Sequence, residues 1–248
     1  MPDPISTEQL ESDREIERIK KMYEERDGKM PYRDWESNLY HPRHPLGHQV
    51  HAENRRLLRD GLDALEADLF DLDALDIGCG YGYWLRQLVE LGGNPARMCG
   101  VDLSAERIAE ARTRNPAIRW VHGNAADLSL AQESIDLVIQ SVVFSSIQDA
   151  ESRRSLATEI DRVARPGALL LWHDLRPKLG RRPHVLVQFS TADVLDSFPG
   201  WALLSSERCD PRYVTQTRLL RRALNRVVYD TTRLASDSWF LVLQKQRC

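Results

Sequence analysis

The sequence predicts an α/β fold in which a mostly parallel sheet carries helices on both faces. Two observations lead to this fold class. Short apolar segments alternate regularly with amphipathic segments over residues 72–174, and this alternation is typical of strand–helix–strand units in a parallel sheet. The chain has 248 residues, 42% of them hydrophobic, which is enough for one sizeable domain with a modest appendage.

Strands are predicted where short apolar runs lie between turn residues. Five runs follow one another in the middle of the chain: LDALDI, MCGVDL, IRWVHG, SIDLVIQSVVF and ALLLWHD. Two more, WALLSSERCD and SWFLVLQKQ, lie near the C-terminal end. Strands this apolar are typical of a sheet that is covered on both faces, so we expect one Rossmann-like domain.

Helices are predicted from apolar residues at helical spacing. YWLRQLVELG is closed by Gly92, and AESRRSLATEIDRVA is stopped by Pro166 and Gly167. Ser104 is the expected N-cap of SAERIAEARTR, although Arg107 stands where a capping box has glutamate or glutamine. Near the C-terminus, TRLLRRALNRVVYDTTRL is expected to be a basic helix.

The N-terminal part of the chain differs from the rest in residue composition and hydrophobic pattern. Residues 5–27 place apolar side chains at helical spacing among many charges. A stretch rich in proline, histidine and aromatic residues follows, and a second helix is expected over residues 51–65. We therefore predict an N-terminal helical cap or lid in residues 1–65 and the main domain in residues 66–248.

Composition and charge exclude several classes of protein. The formal net charge of −3 gives no reason to expect a nucleic acid or a membrane surface as partner. No apolar stretch approaches the roughly 20 residues that span a bilayer, and the acid-rich N-terminal segment lacks the apolar core of a secretory signal. The four scattered cysteines include no C-x-x-C pair, which indicates reduced thiols. We expect a cytoplasmic protein.

Three glycines at alternate positions, Gly78, Gly80 and Gly82, follow the first strand directly. A glycine-rich turn at this point lets a ligand approach the backbone closely. Asp102 closes the second strand, where a carboxylate can accept both hydroxyls of a ribose. The G-x-G-x-G spacing differs from that of dinucleotide sites, and Asp76 beside the loop opposes a pyrophosphate but suits an ammonium group. A ribose at one end and an ammonium at the other describe S-adenosylmethionine.

The chain resembles class I S-adenosylmethionine-dependent methyltransferases in five ordered segments: DIGCGYG, VDLS, HGNAADL, SIDLVIQSVVF and VARPGALLLWHD. The resemblance covers residues 72–174 and, through the last strand, most of the chain's end. It implies a seven-stranded sheet whose last strand is antiparallel. It also implies S-adenosyl-L-methionine as the cofactor and S-adenosyl-L-homocysteine as the product.

The resemblance further implies roles for individual residues of a cofactor site. The three loop glycines would line the methionine end of the cofactor, with Asp76 near its ammonium group. Asp102 would hold the ribose, and Leu103 would flank the adenine. Gln140 and Ser141, at the end of the fourth strand, would lie beside the sulfonium.

Asn124 and Ala125 would meet the edge of the adenine in the same resemblance. The family more often has aspartate where Asn124 stands, but the amide oxygen of Asn124 can still accept a hydrogen bond from the adenine amino group. Asp127, three residues further on, is a second candidate for that contact. The sequence therefore offers two positions for one role.

His173 and Asp174 end the fifth strand at the edge where a parallel sheet binds ligands. Methyl transfer from a sulfonium to a hydroxyl is an in-line displacement, helped by positioning and by removal of the acceptor's proton. Because histidine titrates near neutral pH, His173 is a candidate base. The alternative is that Asp174 caps a turn and His173 faces away. His48 in the cap is the runner-up base.

Two other groups of reactive residue types have structural interpretations, which we favour. Cys79 lies inside the glycine loop, where small residues are wanted for packing and no neighbouring base would activate a thiol. His41, His44, His48 and His51 are spaced like a metal cluster, but intervening prolines disrupt any single helical face. We expect a structural or lid role for them and no metal.

Basic residues form two groups in the C-terminal part of the chain: Lys178, Arg181, Arg182, Arg218, Arg221, Arg222 and Arg226. A solvated face is the ordinary interpretation of such a run. The functional alternative is an anionic acceptor such as a nucleotide-linked sugar, a carboxylate or a phosphate. Nucleic acid ranks third, because the overall charge is acidic. The sequence leaves open whether the chain forms a homodimer.

The favoured function is methylation of a small molecule at oxygen, with a sugar or secondary-metabolite hydroxyl as acceptor. The fourth strand is followed neither by an Asp/Asn-Pro-Pro-aromatic run nor by a Pro-Cys pair, which counts against methylation of base amines, glutamine or cytosine carbon. The cap and loops resemble a subgroup associated with sugars and secondary metabolites. Three alternatives remain: an RNA (tRNA) methyltransferase using the basic C-terminal helix, a cofactor-binding protein without chemistry, and a nicotinamide-dependent oxidoreductase.

Overall fold

The computed structural model describes residues 7–29, 47–65, 67–175, 186–209 and 238–247. The helices in these ranges are α1 (Thr7–Lys29), α2 (Gly47–Leu62), α3 (Tyr83–Glu90), α4 (Ala105–Arg114), α5 (Ala150–Val163) and α6 (Thr191–Ser197). The strands are β1 (Ala74–Ile77), β2 (Met98–Asp102), β3 (Arg119–His122), β4 (Ile135–Ser141), β5 (Ala164–Leu175), β6 (Trp201–Cys209) and β7 (Ser238–Lys245).

The seven strands form one sheet in the order β3-β2-β1-β4-β5-β7-β6. Strands β1 to β5 pair in parallel, and β7 lies antiparallel between β5 and β6. The predicted fold class, including the antiparallel last strand, is confirmed. The chain reverses its direction across the sheet between β1 and β4, and ligands of open α/β sheets bind beyond the carboxyl ends of the strands at this reversal.

Each face of the sheet has its own apolar core. Because successive side chains of a strand point to opposite faces, β1 contributes Leu75 and Ile77 to one core and Ala74 to the other. The first core is completed by apolar residues of α5 and the second by those of α2, α3 and α4. Asp76 shares the alternation of Ala74 and is fully buried.

Helices α1 and α2 are packed differently, although both fall in the predicted cap. Leu57 and Leu58 of α2 are at most 1% exposed and belong to the core of the main sheet. A Cβ atom on Gly61 would lie 3.0 Å from Leu171 and 3.1 Å from Phe240, so α2 approaches the sheet closely. The boundary at residue 65 stays a prediction. Helix α1 is the element that covers the carboxyl ends of the strands.

Strand β4 ends earlier than the sequence predicts. Its last residue is Ser141, and the predicted strand residue Phe144 instead begins a short 3₁₀ helix that ends at Ser146. The chain turns at Val142, whose φ of 59° is rare for a β-branched residue. Hydrophobicity alone did not show this turn because the segment is apolar on both sides of it.

Strand β5 begins earlier than the sequence predicts. It starts at Ala164, directly after α5, and includes Pro166 and Gly167, which we expected only to stop the helix. The register of β4 against β5 shifts between Ile135 and Leu137, and Gly167 has a φ of 88°. An irregularity of this kind admits a proline and a glycine at the beginning of a strand.

Helix α6 was not predicted from the sequence. Its N-terminus carries a capping box in which the Ser190 side chain accepts from the Asp193 backbone while the Asp193 side chain accepts from the Ser190 backbone. The predicted N-cap of α4 is confirmed, since the Ser104 hydroxyl accepts from the Arg107 N–H at 3.3 Å. The predicted basic helix and the 178–182 stretch lie outside the described residues.

Among the helices in the described ranges, none is both long and apolar enough to cross a lipid bilayer.

Candidate active site

The glycine loop after β1 adopts backbone conformations that favour glycine. Gly78, Gly80 and Gly82 have φ values of 64°, 52° and 76°, in the left-handed region that other residues rarely adopt. A Cβ atom on Gly82 would lie 2.2 Å from the Trp120 ring, and one on Gly78 would lie 2.5 Å from Val143. Side chains from β3 and from the turn after β4 therefore confine the loop.

Asp102 at the end of β2 ties this loop to α4. Its two carboxylate oxygens accept from the backbone N–H groups of Gly80 at 2.9 Å and Ser104 at 2.8 Å. The side chain is largely buried, yet it borders a cavity. A carboxylate oxygen has a second lone pair, so Asp102 can still accept from hydroxyl groups of a ligand.

A cavity of about 110 Å³ lies between α1 and the ends of β1, β2 and β4. Its walls bring together six of the residues that the sequence predicts for a cofactor site: Gly78, Asp102, Leu103, Asn124, Ala125 and Ser141. Ile19 and Tyr23 of α1 line the same cavity. A wider groove of about 880 Å³ between α1 and α4 shares Ile19, Tyr23, Asp102 and Leu103 with it.

Asp76 and Gln140 have buried polar atoms without a partner. Both side chains are fully buried, and neither oxygen of Asp76 nor the amide nitrogen of Gln140 has a hydrogen-bond partner in the described structure. Burial raises the pKa of Asp76 well above its usual range, and the charge of Asp102 adds to this, whereas Arg86 opposes it. A buried carboxyl in this setting gains from a cationic ligand group.

Asn124 and Asp127 differ in what they offer to a ligand. The Asn124 side-chain oxygen accepts from the Ala126 N–H at 3.0 Å, so one of its two lone pairs is already used while its amide N–H groups are left to donate. Asp127 is exposed and is not among the residues that line the cavity. The geometry favours Asn124 over Asp127 at this edge.

His173 lies in the middle of a short hydrogen-bonded chain. Its Nδ1 is 3.0 Å from the Ser141 hydroxyl oxygen, and its Nε2 is 3.0 Å from that of Ser238. The ring packs between Trp84 and Phe240, with centroid distances of 6.0 and 6.2 Å. Burial lowers the pKa of His173 to about 4, so its imidazole is neutral at physiological pH. Through Ser141 the histidine is linked to the cavity wall.

Asp174 has a structural contact that fits the alternative given for it. Its carboxylate is fully buried and accepts from the Ser145 N–H at 3.1 Å, which fixes the 3₁₀ turn after β4. Asp174 thereby shapes the wall of the cavity from behind. The third candidate base, His48, belongs to α2, but its side chain lies outside the described residues.

The described part of the chain offers no metal centre: no group of three or more histidine, cysteine or acidic residues there could hold a metal ion. His51 stacks on Tyr83 at a centroid distance of 4.8 Å, whereas His41 and His44 lie outside the described residues. Cys79 is buried, and burial raises the pKa of its thiol well above the usual range. An unreactive, packed Cys79 agrees with the interpretation we favoured.

Helix α1 contributes contacts that the sequence analysis did not predict. The Tyr23 hydroxyl lies 2.8 Å from that of Ser146. The Arg107 guanidinium donates twice to Asp27, at 2.7 Å each, and also lies 4.5 Å from the centre of the Tyr23 ring. Helical spacing indicated that α1 has a buried face. No local pattern could show which part of the sheet that face would cover.

The comparisons with known proteins agree with this geometry. A family model described as a methyltransferase domain matches residues 74–167, which span the glycine loop, Asp102 and β4. This match and the methyltransferase relatives described below indicate the class I S-adenosylmethionine-dependent methyltransferase family. The same similarity indicates S-adenosylmethionine as the cofactor.

The methyltransferase relatives in sequence match about half of the chain. Malonyl-[acyl-carrier protein] O-methyltransferase of Pectobacterium atrosepticum is 32% identical over 124 residues, which are 50% of this chain and 47% of that protein. Phthiotriol/phenolphthiotriol dimycocerosates methyltransferase of Mycobacterium tuberculosis is 35% identical over 120 residues, 46% of this chain and 42% of that protein. The chain thus spans less than half the length of these two relatives.

A solved methyltransferase structure aligns along the whole chain. It is the 1,6-didemethyltoxoflavin-N1-methyltransferase of Burkholderia thailandensis with bound 1,6-didemethyltoxoflavin and S-adenosylhomocysteine. The alignment has a TM-score of 0.64 at 14% identity and covers 100% of this chain and 94% of that chain. At this identity the likeness shows the fold of the methyltransferase.

The residues of the site fit S-adenosylmethionine. The unpartnered carboxyl of Asp76 suits the cofactor's ammonium group, and Asp102 retains lone pairs for ribose hydroxyls. Leu103 and Ala125 supply apolar cavity wall for the adenine, next to the donor groups of Asn124. The assignment of each residue to a part of the cofactor stays a prediction.

Proposed function

We propose that the chain is a methyltransferase that transfers a methyl group from S-adenosylmethionine to an oxygen atom of a small molecule, a sugar or secondary-metabolite hydroxyl. The observation that carries this proposal is the position of Ser141. Its side chain lines the cofactor cavity and is hydrogen-bonded to His173. A polar pair therefore lies where the methyl donor and the acceptor would meet.

The bound cofactor supplies an electrophilic methyl group on a sulfonium. The residues of the chain bind the donor and orient the acceptor. Asp76 and Asp102 fix the two ends of the donor, while Ser141, which is hydrogen-bonded to His173, offers a hydrogen bond beside the reacting methyl group. Positioning of this kind supplies much of the acceleration of an in-line displacement.

The position of helix α1 over the cavity favours a small molecule as the methyl acceptor. Ile19 and Tyr23 cover the cavity from above, and the paired charges of Asp27 and Arg107 connect α1 with α4. A covering helix excludes water from the reacting groups. We accordingly propose α1 as the closing element of the cap predicted for residues 1–65 over the domain of residues 66–248, whereas α2 packs into the core of that domain.

The experiment begins with calorimetric titration of S-adenosylmethionine, S-adenosylhomocysteine and NAD. We expect micromolar dissociation constants, a scale of about −8 kcal/mol, for the two sulfur compounds and no binding of NAD. Labelled cofactor is then incubated with separate panels of sugars, phenols, carboxylic acids and tRNA, and mass spectrometry locates the methyl group. Binding of NAD alone would contradict the cofactor, and methylation of tRNA alone would contradict the small acceptor.

A further inference from the structure

The ends of β4, β5, β6 and β7 hold a row of polar side chains that the cofactor site does not explain. It begins at Ser141 on the cavity wall and passes through His173 to Ser238, and Cys209 lies beside Ser238 on the neighbouring strand. Cys209 and Ser238 are directly paired residues of β6 and β7. Ser238 is fully buried and Cys209 is 5% exposed, so this end of the row lies inside the protein.

The direction of the hydrogen bonds follows from the chemistry of the four groups. A neutral imidazole has one N–H donor and one acceptor nitrogen. At the buried end, the only other donor for the Ser238 oxygen in this row is the Cys209 thiol, and a thiol is a weak donor. The imidazole N–H is the stronger donor and best satisfies that buried oxygen, because an unsatisfied buried acceptor is costly. This favours the tautomer of His173 with its proton on Nε2.

The orientation of the Ser141 hydroxyl follows from the tautomer of His173. With the proton on Nε2, Nδ1 of His173 is an acceptor, and the Ser141 hydroxyl donates to it across 3.0 Å. The hydrogen of Ser141 is thereby engaged, and the lone pairs of its oxygen are left for the cavity. Ser141 lies in the cavity wall and can receive a hydrogen bond from a bound molecule there.

We propose that Ser238 is a positioning residue which, through His173, orients the Ser141 hydroxyl as a hydrogen-bond acceptor and so selects a hydroxyl-bearing methyl acceptor. A hydroxyl donates its hydrogen to Ser141 and turns a lone pair toward the methyl group. As its oxygen forms the new bond to the methyl carbon, the bond from that carbon to sulfur breaks and S-adenosylhomocysteine is the leaving group. The hydroxyl proton passes to Ser141, whose own hydrogen moves to Nδ1 of His173. A carboxylate has no hydrogen to donate and meets the lone pairs of Ser141 unfavourably. This inference rests on the proposed function and names the chemical class of its acceptor.

The first test is the tautomer of His173 in the full chain without any ligand. Long-range ¹H–¹⁵N spectra of the imidazoles distinguish a protonated Nε2 from a protonated Nδ1, and the His173→Asn variant identifies the signal. We expect the Nε2–H form in the wild-type protein and a mixture of both forms in Ser238→Ala. Ser134→Ala is the matched control, because Ser134 donates to Ala131 at an exposed site. A wild-type Nδ1–H form would overturn the proposal.

The second test uses the acceptors found in the labelled-cofactor screen. We expect Ser238→Ala to lower kcat roughly tenfold, the scale of one lost hydrogen bond, with the dissociation constant of S-adenosylhomocysteine unchanged. Ser134→Ala should leave both quantities unchanged. An unaltered kcat in Ser238→Ala, or methylation of carboxylic acids in preference to hydroxyls, would contradict the orientation of Ser141.

Binding of S-adenosylhomocysteine and the tautomer of His173 are measured independently, so a failure of the proposed function can be distinguished from a failure of this inference. If S-adenosylhomocysteine does not bind the wild-type chain, the proposed function fails, while the tautomer can still be measured. If S-adenosylhomocysteine binds and His173 carries its proton on Nδ1, the cofactor site stands and only the relay from Ser238 to Ser141 is wrong.

Discussion

The two halves of the ligand-binding edge are built in different ways. In the half formed by β1 and β2, the glycine loop is one continuous motif that closely follows Asp76, and Asp102 contacts it across 22 residues. In the half formed by β4, β5 and β7, the linked groups are 32 and 65 residues apart and meet only because the strands are neighbours. A local motif therefore indicates the first half, whereas the second depends on sheet order.

The two halves also differ in charge. Asp76 and Asp102 bring two carboxyl groups to the first half, and their repulsion contributes to the raised pKa of Asp76. In the second half, His173 is held neutral between two hydroxyls. The first half is suited to binding a cation and the second to orienting a neutral acceptor. A substitution in one half can therefore be tested for its effect on the other half.

The largest effect is expected in the glycine loop, from Gly82→Ala. The left-handed backbone and the collision with Trp120 at 2.2 Å act together. We expect a loss of about 4 kcal/mol in the free energy of unfolding, from a strained φ plus overpacking. Gly80→Ala is the matched control, because its Cβ would meet nothing within 4 Å, so that only the backbone cost of about 1 kcal/mol remains.

Urea denaturation of both variants measures this difference. Equal losses in the two variants would mean that Trp120 moves aside without cost and that the loop is not confined by β3. The pH dependence tested next should be the same in these variants as in the wild-type chain, because His173 lies in the other half.

The second prediction concerns His173 and the pH dependence of stability. Its pKa is lowered from 6.5 to about 4 in the folded chain, so the unfolded state binds more protons between these values and stability falls as the pH falls. Between about pH 7 and about pH 5 this group should remove about 2 kcal/mol of unfolding free energy. In His173→Asn that contribution should be absent. Parallel pH dependences in the two proteins would show that His173 is not held neutral.

The sequence predicts more of the first half of the site than of the second, for a physical reason. The glycine loop, Asp102 and the alternation of strands and helices were predictable, because each depends on neighbouring residues or on one strand's own pattern. The Ser141–His173 contact depends on the register of β4 against β5, and the His173–Ser238 contact depends on β7 lying beside β5. Neither pairing is encoded locally.

Two smaller features, the turn at Val142 and helix α6, were not predicted from the sequence for similar reasons. Val142 ends β4 through a left-handed φ that its apolar neighbours conceal. Helix α6 has only seven residues, so its capping box at Ser190 and Asp193 was the sole strong local signal. The face of α1 that covers the cavity was predicted as apolar, but its partner depends on how the chain between α1 and the sheet is placed.

The third prediction separates charge from hydrogen bonding at Asp102. Asp102→Ala should weaken binding of S-adenosylhomocysteine by about 1.5 kcal/mol, roughly tenfold, since both the ribose contacts and the N–H contacts to Gly80 and Ser104 are lost. Asp102→Asn retains one acceptor oxygen and should lose less. Glu90→Ala is the control at a surface acid away from the cavity.

Calorimetric titration gives these affinities, and the ¹⁵N spectrum of His173 shows whether the second half has changed. An affinity of Asp102→Ala equal to that of the wild-type chain would remove Asp102 from the ribose site. A changed His173 tautomer would show that the two halves are coupled, contrary to the comparison above.

The smallest effect is expected at Asp76, as proton release on cofactor binding. Burial raises the pKa of Asp76 and thereby favours its protonated form before binding, whereas an ammonium group brought beside it favours the ionised form. Binding of S-adenosylmethionine should release a fraction of a proton, seen as a dependence of the calorimetric heat on the ionisation enthalpy of the buffer. Asp76→Asn keeps the shape of the side chain and should abolish that part of the release. The same release in both proteins would assign it to another group and place the ammonium away from Asp76.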